Sequence, residues 1–139
     1  MNVSRRPDSS SLLPVSPLQV EHYPGTEKAG VESVSVGTLE SHVAAGRIRA
    51  PAFLKLDVQG YELEALRGCE SLLHLFEYVY AELSFVPLYE GQAMAHEVIE
   101  FMTARGFRIA GVYNVFHGRK GQSIQCDCLF TPGTHVERR

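Results

Sequence analysis

A chain of 139 residues, 45% hydrophobic and 21% charged with a formal net charge of −3, has the make-up of one soluble domain with a modest core. Its 13 Lys and Arg form no long run against 16 acids, which argues against nucleic acid as a ligand. No apolar run approaches the roughly 20 residues that cross a bilayer, and Met1 to Asp8 lacks the apolar stretch of a secretory signal, so the expected location is cytoplasmic.

Residues 1–30 are rich in Pro and Ser with few periodic apolar positions, and are expected to be irregular. The compact domain is expected over residues 31–132, followed by a tail at 133–139. Val31 to Val36 alternates Val with polar residues and predicts a short strand. Thr38 suits the N-cap of a short helix running to about Ala45, with Gly46 as its stop. Ala52 to Val58 then reads as a strand covered on both faces, because four hydrophobic residues surround Lys55 and Asp57. Alternation puts Phe53, Lys55 and Asp57 on one face, so the Lys and the Asp are near enough to compensate each other. Gly60 permits a tight turn into a helix carrying Leu63, Leu66 and Cys69, with Leu72, Leu73 and Leu75 continuing the apolar supply beyond Gly68, as one interrupted helix or two short ones.

Tyr78 to Leu83 predicts a second buried strand with Glu82 near its carboxyl end. Met94, Val98, Phe101 and Met102 form a helical stripe ended by Gly106. Phe107 to Val115 and Ser123 to Thr131 are two strands joined by the polar turn His117 to Gly121. The order strand, helix, strand, helix, strand, strand predicts an α/β fold with a mostly parallel sheet ending in an antiparallel β-hairpin.

Three cysteines at unrelated spacings fit a reducing compartment better than a disulfide framework. Cys126 and Cys128 share one face of a strand, but no second Cys or His pair follows at finger spacing, so they are read as core residues and no metal site is assigned. No two of the six His stand at helical ligand spacing.

The carboxylates carry the chemistry. Asp57 and Glu82 fall at the carboxyl ends of neighbouring strands, where α/β enzymes bind ligands. Asp57 suits contact with an acceptor or with a positive group, with Lys55 keeping it ionised; the alternative is a structural Lys55–Asp57 ion pair. Glu82 suits proton removal, joint cation binding with Asp57, or a structural partnership with Lys55. Glu62, in the first turn of the next helix, is read as a cap on free amides. Gln59 and Tyr61 line the same turn, and Asn114 and His117 are distant candidates.

Ser9-Ser10-Ser11-Leu12-Leu13, Val36-Gly37-Thr38-Leu39, Leu54-Lys55-Leu56-Asp57-Val58-Gln59-Gly60-Tyr61-Glu62 and Asp127-Cys128-Leu129-Phe130 resemble, in that order, the FkbM-type methyltransferase family, whose central pattern is K-x-D-x-x-G-x-E. The resemblance implies the Rossmann-like fold of class I methyltransferases and S-adenosylmethionine as cofactor. It implies catalytic roles for Asp57, Glu82 and Lys55, and cofactor contacts from Asp57, Gln59 and Gly60. Methyl transfer to a hydroxyl of a small molecule, sugar or lipid is the expected reaction. The Gly-rich loop with which the family begins has no counterpart, so the chain is expected to be a truncated C-terminal half whose cofactor pocket needs a complementing N-terminal chain or a homodimer. The competing expectation is an inactive remnant or interaction module that pairs through an exposed sheet edge.

Overall fold

The structure is a computed structural model that describes residues 1–133. Of the expected tail at 133–139, all but Gly133 lies outside the described residues. The domain is built on four strands, β3 (Phe53–Leu56), β4 (Tyr78–Ser84), β5 (Phe107–His117) and β6 (Ser123–Pro132), arranged in the order β3-β4-β6-β5. β3 and β4 pair in parallel, whereas β6 inserts antiparallel between β4 and β5. Three strands therefore run the same way, yet two of the three pairings are antiparallel and the sheet is mixed.

Period-two alternation explains which face is covered. Along β4, Val79, Ala81 and Leu83 are buried and meet Cys126, Cys128 and Phe130 of β6. Helices α3 (Glu62–Arg67) and α4 (Ala95–Ala104) close this face. α3 contributes Leu63 and Leu66; α4 contributes Ala95, Val98 and Met102, one stripe at helical spacing. A 3-10 segment, Glu70–Leu75, follows α3 and buries Leu72 and Leu73, so the interrupted apolar run becomes two short helices. The two cysteines of β6 are core residues with sulfurs 3.8 Å apart.

The opposite face is open, which corrects the expectation that β3 is covered on both sides. Phe53 is 57% exposed and the Lys55 side chain 56%. No strand among the described residues pairs with the outer edge of β3. An aromatic row, Phe53, Tyr80 and Tyr113, crosses the open face with ring centroids 6.2 Å apart at each step.

The N-terminal segment is more ordered than its composition predicts. β1 (Asn2–Ser4) and β2 (Lys28–Val31) form an antiparallel ribbon, and α1 (Pro17–His22) lies between them in sequence. The strand expected over Val31 to Val36 is displaced toward the N-terminus because β1 supplies its hydrogen-bonding partner; Glu32 still exchanges backbone hydrogen bonds with Met1, and residues 33–36 lie outside the ribbon. α1 starts where Ser16 accepts a hydrogen bond from the Gln19 amide and Pro17 occupies the first turn. α2 (Leu39–His42) is shorter than the helix expected to Ala45, although Thr38 caps it as predicted, accepting from the Ser41 amide.

Candidate functional site

Register determines which carboxylates meet. Leu56 of β3 is level with Ala81 of β4, so the next residues along the two parallel strands, Asp57 and Glu82, stand side by side. Glu82 is also directly opposite Asp127 of β6. A row of three acids, Asp57, Glu82 and Asp127, thus crosses the sheet.

Their surroundings separate their roles. Asp57 accepts from Lys55 Nζ at 3.0 Å and from Gln59 Nε2 at 2.7 Å, and its side chain is 42% exposed. The pair holds the Lys55 ammonium above its ordinary range, through the hydrogen bond first and the charge second. An ion pair this exposed adds at most about 1 kcal/mol to stability. Asp127 is engaged by the Tyr80 hydroxyl at 2.9 Å and by Asn114 Nδ2 at 2.7 Å. Glu82 is pushed up to about 8, by burial first and then by the charges of Asp57, Glu62 and Asp127, with Lys55 acting against them.

Glu82 and Asp57 open into a polar cavity of about 250 Å³ with Gln59 and Gln125 on the sheet side. The N-terminal segment supplies the facing wall, with Arg6, Asp8, Ser9, Gln19, Tyr23 and Thr26. The Tyr23 hydroxyl donates to Gln125 Oε1 at 2.8 Å and is pushed up to about 12 by burial and by Glu82. Gln19 is 4% exposed, and its Oε1 has no hydrogen-bond partner among the described residues.

The turn between β3 and α3 is held from three sides. Gln59 has φ +53° and Gly60 φ +91°. The Glu62 carboxylate accepts from the amides of Val58 and Gly60, at 3.1 and 3.3 Å, which is the capping role read from its position. Burial raises its proton affinity and those amides oppose the rise. Gln59 is occupied at both ends of its amide, since Oε1 accepts from the Tyr89 hydroxyl at 2.7 Å while Nε2 donates to Asp57. Ser11 Oγ donates to the Gln59 carbonyl at 2.6 Å and so ties the Ser9–Leu13 stretch to the turn.

A Methyltransferase FkbM domain model matches residues 4–109. The chain belongs to the FkbM methyltransferase family. The matched range takes in the FkbM pattern around Asp57 and the Glu82 strand and stops before Asp127-Cys128-Leu129-Phe130, which the sequence comparison had included. No curated protein and no solved structure matches the chain.

Of the residues expected at the site of this FkbM domain, Asp57, Gln59 and Glu82 line one cavity, Lys55 reaches it through Asp57, and Gly60 lies in the turn behind. Asn114 joins the Asp127 cluster, while His117 ends β5. Among the described residues no group of three or more His, Cys, Asp or Glu is arranged to hold a metal ion. No helix among them is long and apolar enough to cross a membrane. Gln19 and Tyr23 line the cavity from a segment whose composition predicts irregular chain; Ser16-Pro17, a cap followed by a first-turn Pro, is the sequence signal for the helix that holds Gln19 and ends at Tyr23.

A second, more apolar trough of about 850 Å³ is lined by Leu54 and Leu56 of β3, by Ala65 of α3, and by Leu12, Val36 and Leu39.

Proposed function

We propose that the chain is the acceptor-side part of an S-adenosylmethionine-dependent O-methyltransferase with a Rossmann-like core, acting on the hydroxyl of a small molecule, sugar or lipid. The observation that carries this reading is a half-buried carboxylate with raised proton affinity, Glu82, beside the Asp57 carboxyl in one polar cavity at the ends of two parallel strands.

The cofactor brings a methyl group on a sulfonium, an electrophile that needs alignment more than activation. The acidic lining suits a cation that accepts no hydrogen bonds, and the nearby cations Lys55 and Arg6 are paired with Asp57 and Asp8. A cavity of about 250 Å³ is smaller than the roughly 300–1,000 Å³ of small-molecule sites, so it suits the reacting ends of donor and acceptor and not the whole cofactor. The remainder of the cofactor pocket falls to a complementing chain or a second copy.

In this reading Asp57 faces the positive end of the donor, held there by Lys55 and Gln59. Glu82, in its carboxylate form, takes the acceptor's O–H proton as the oxygen bonds to the methyl carbon and the carbon–sulfur bond breaks. Gln59 and Gly60 act through the turn that fixes Asp57.

Transfer of labelled methyl from S-adenosylmethionine to a hydroxyl acceptor is the direct test. Glu82→Gln is expected to lower the rate by about 10²–10⁴-fold with the fold intact by circular dichroism. An undiminished rate removes Glu82 from the chemistry. Calorimetric titration with S-adenosylmethionine separates the cofactor question: heatless titration of a folded chain assigns the rest of the pocket to another polypeptide.

A second reading, an inactive module that pairs through the free edge of β3, is favoured by the open aromatic face beside that edge.

A further inference from the structure

We infer that Tyr89 is a positioning residue for Asp57, acting through the side-chain amide of Gln59. The inference rests on the methyl-transfer reading of the cavity and adds to it a residue from outside the cavity lining.

Asp57 needs a partner of fixed geometry. Its side chain is 42% exposed, and Lys55 offers a point charge on a flexible stem that is itself 56% exposed, so the ion pair alone leaves the carboxylate free to change rotamer. The second donor is Gln59 Nε2 at 2.7 Å, from a residue in the left-handed region with φ +53°. Side chains rarely adopt that conformation, whereas glycine occupies it without strain. What a glycine there would lack is the amide, and a backbone outlier kept at a candidate site points to a role for its side chain.

An amide holds a carboxylate only when its NH2 end is turned toward it, because the carbonyl end would repel the charge. Tyr89 favours the productive orientation. Its hydroxyl donates to Gln59 Oε1 at 2.7 Å, which takes up the oxygen on the far side and leaves Nε2 for Asp57. Tyr89 is itself well anchored, in the loop between β4 and α4. It is buried with Leu88 and Ile124, its amide donates to Gln92 Oε1 at 2.7 Å, and its ring lies against Gly60. Packing accounts for the ring but not for the hydroxyl, which a phenylalanine would do without. That hydroxyl has one proton and two acceptors in reach, Gln59 Oε1 and the Ser9 carbonyl at 3.1 Å, and the shorter contact is the one to Gln59.

Nuclear magnetic resonance on the isotopically labelled full chain tests this with Tyr89→Phe, which keeps the ring and removes the hydroxyl. In the parent, the three-bond couplings that report χ1 of Asp57 should show one rotamer. In Tyr89→Phe they should average, and the Gln59 side-chain amide protons should exchange with water at least about tenfold faster. If Tyr89→Phe does not fold, Gln59→Gly decides through the same Asp57 couplings, because the path from Tyr89 runs through that side chain. Single-rotamer couplings in the folded variant would overturn the inference, as would averaged couplings in the parent. Where the parent transfers methyl from S-adenosylmethionine, Tyr89→Phe should lower kcat/KM for that cofactor about tenfold, since alignment is lost, and an unchanged value would also overturn the inference. Averaging in the variant of a parent that transfers no methyl would retain the positioning of Asp57 and end the methyl-transfer reading.

Discussion

Glu82 concentrates the chemistry of the site in one proton. Its folded value of about 8 stands well above the roughly 4.3 of an unfolded glutamate. Between those two values the folded state holds a proton that the unfolded state has released, so the slope of stability with pH is negative there. The contribution is complete below the unfolded value and disappears as pH rises through about 8. Thermal unfolding across that window should therefore give a melting temperature that falls toward alkaline pH, and Glu82→Gln should flatten the fall. Parallel curves for the two proteins would show that Glu82 does not carry the shift. Methyl transfer should follow the opposite course, rising through about pH 8 as the carboxylate becomes available to take a proton.

The element that positions Asp57 beside Glu82 is the strand–turn–helix unit of β3, residues 57–61 and α3. Its geometry depends on Gly60, whose φ of +91° disfavours any side chain and whose added Cβ would approach Tyr89 Cδ2 to 3.0 Å and Gln92 Cβ to 3.2 Å. Gly60→Ala should cost about 2–3 kcal/mol in urea unfolding, from backbone strain and displacement of Tyr89 together. Gly91→Ala is the matched comparison, because Gly91 has φ +77° with nothing within 4 Å of its added Cβ. It should cost about 1 kcal/mol from strain alone. Equal losses at the two glycines would mean that contact with Tyr89 contributes nothing. A shifted Tyr89 would also release Gln59 and hence Asp57, so Gly60→Ala should weaken cofactor binding as well.

At the scale of the molecule, the sheet has helices on one side and an aromatic row on the other, next to an edge strand, β3, whose outer edge pairs with no strand among the described residues. Pairing of β3 with another copy of the chain would cover that edge and shelter Phe53. Light scattering over a concentration series should then give a mass that rises with concentration, and Phe53→Lys should suppress the rise. A monomer at every concentration would remove self-pairing, and with it the homodimer route to a completed cofactor pocket. An active monomer would remove the module reading altogether.

Local pattern was enough for much of this protein. The K-x-D-x-x-G-x-E segment with its flanking apolar residues carried the family, the strand–turn–helix unit, the Lys55–Asp57 contact and the capping by Glu62, because all of these act between residues close in sequence. The α4 stripe and the final hairpin were legible for the same reason. Tertiary structure decided what depends on distant partners. The pairing of β1 with β2 ordered a segment whose composition reads as loop, and the insertion of β6 beside β4 set Asp127 next to Glu82. Gln19 and Tyr23 reached the cavity only through folding of the N-terminal segment over the strand ends, a closure across 102 positions in the case of Tyr23 and Gln125. Burial is likewise beyond a linear reading: Lys55 is exposed although its strand reads as enclosed, whereas Glu82 is pushed up to about 8, because desolvation depends on every element packed around a group.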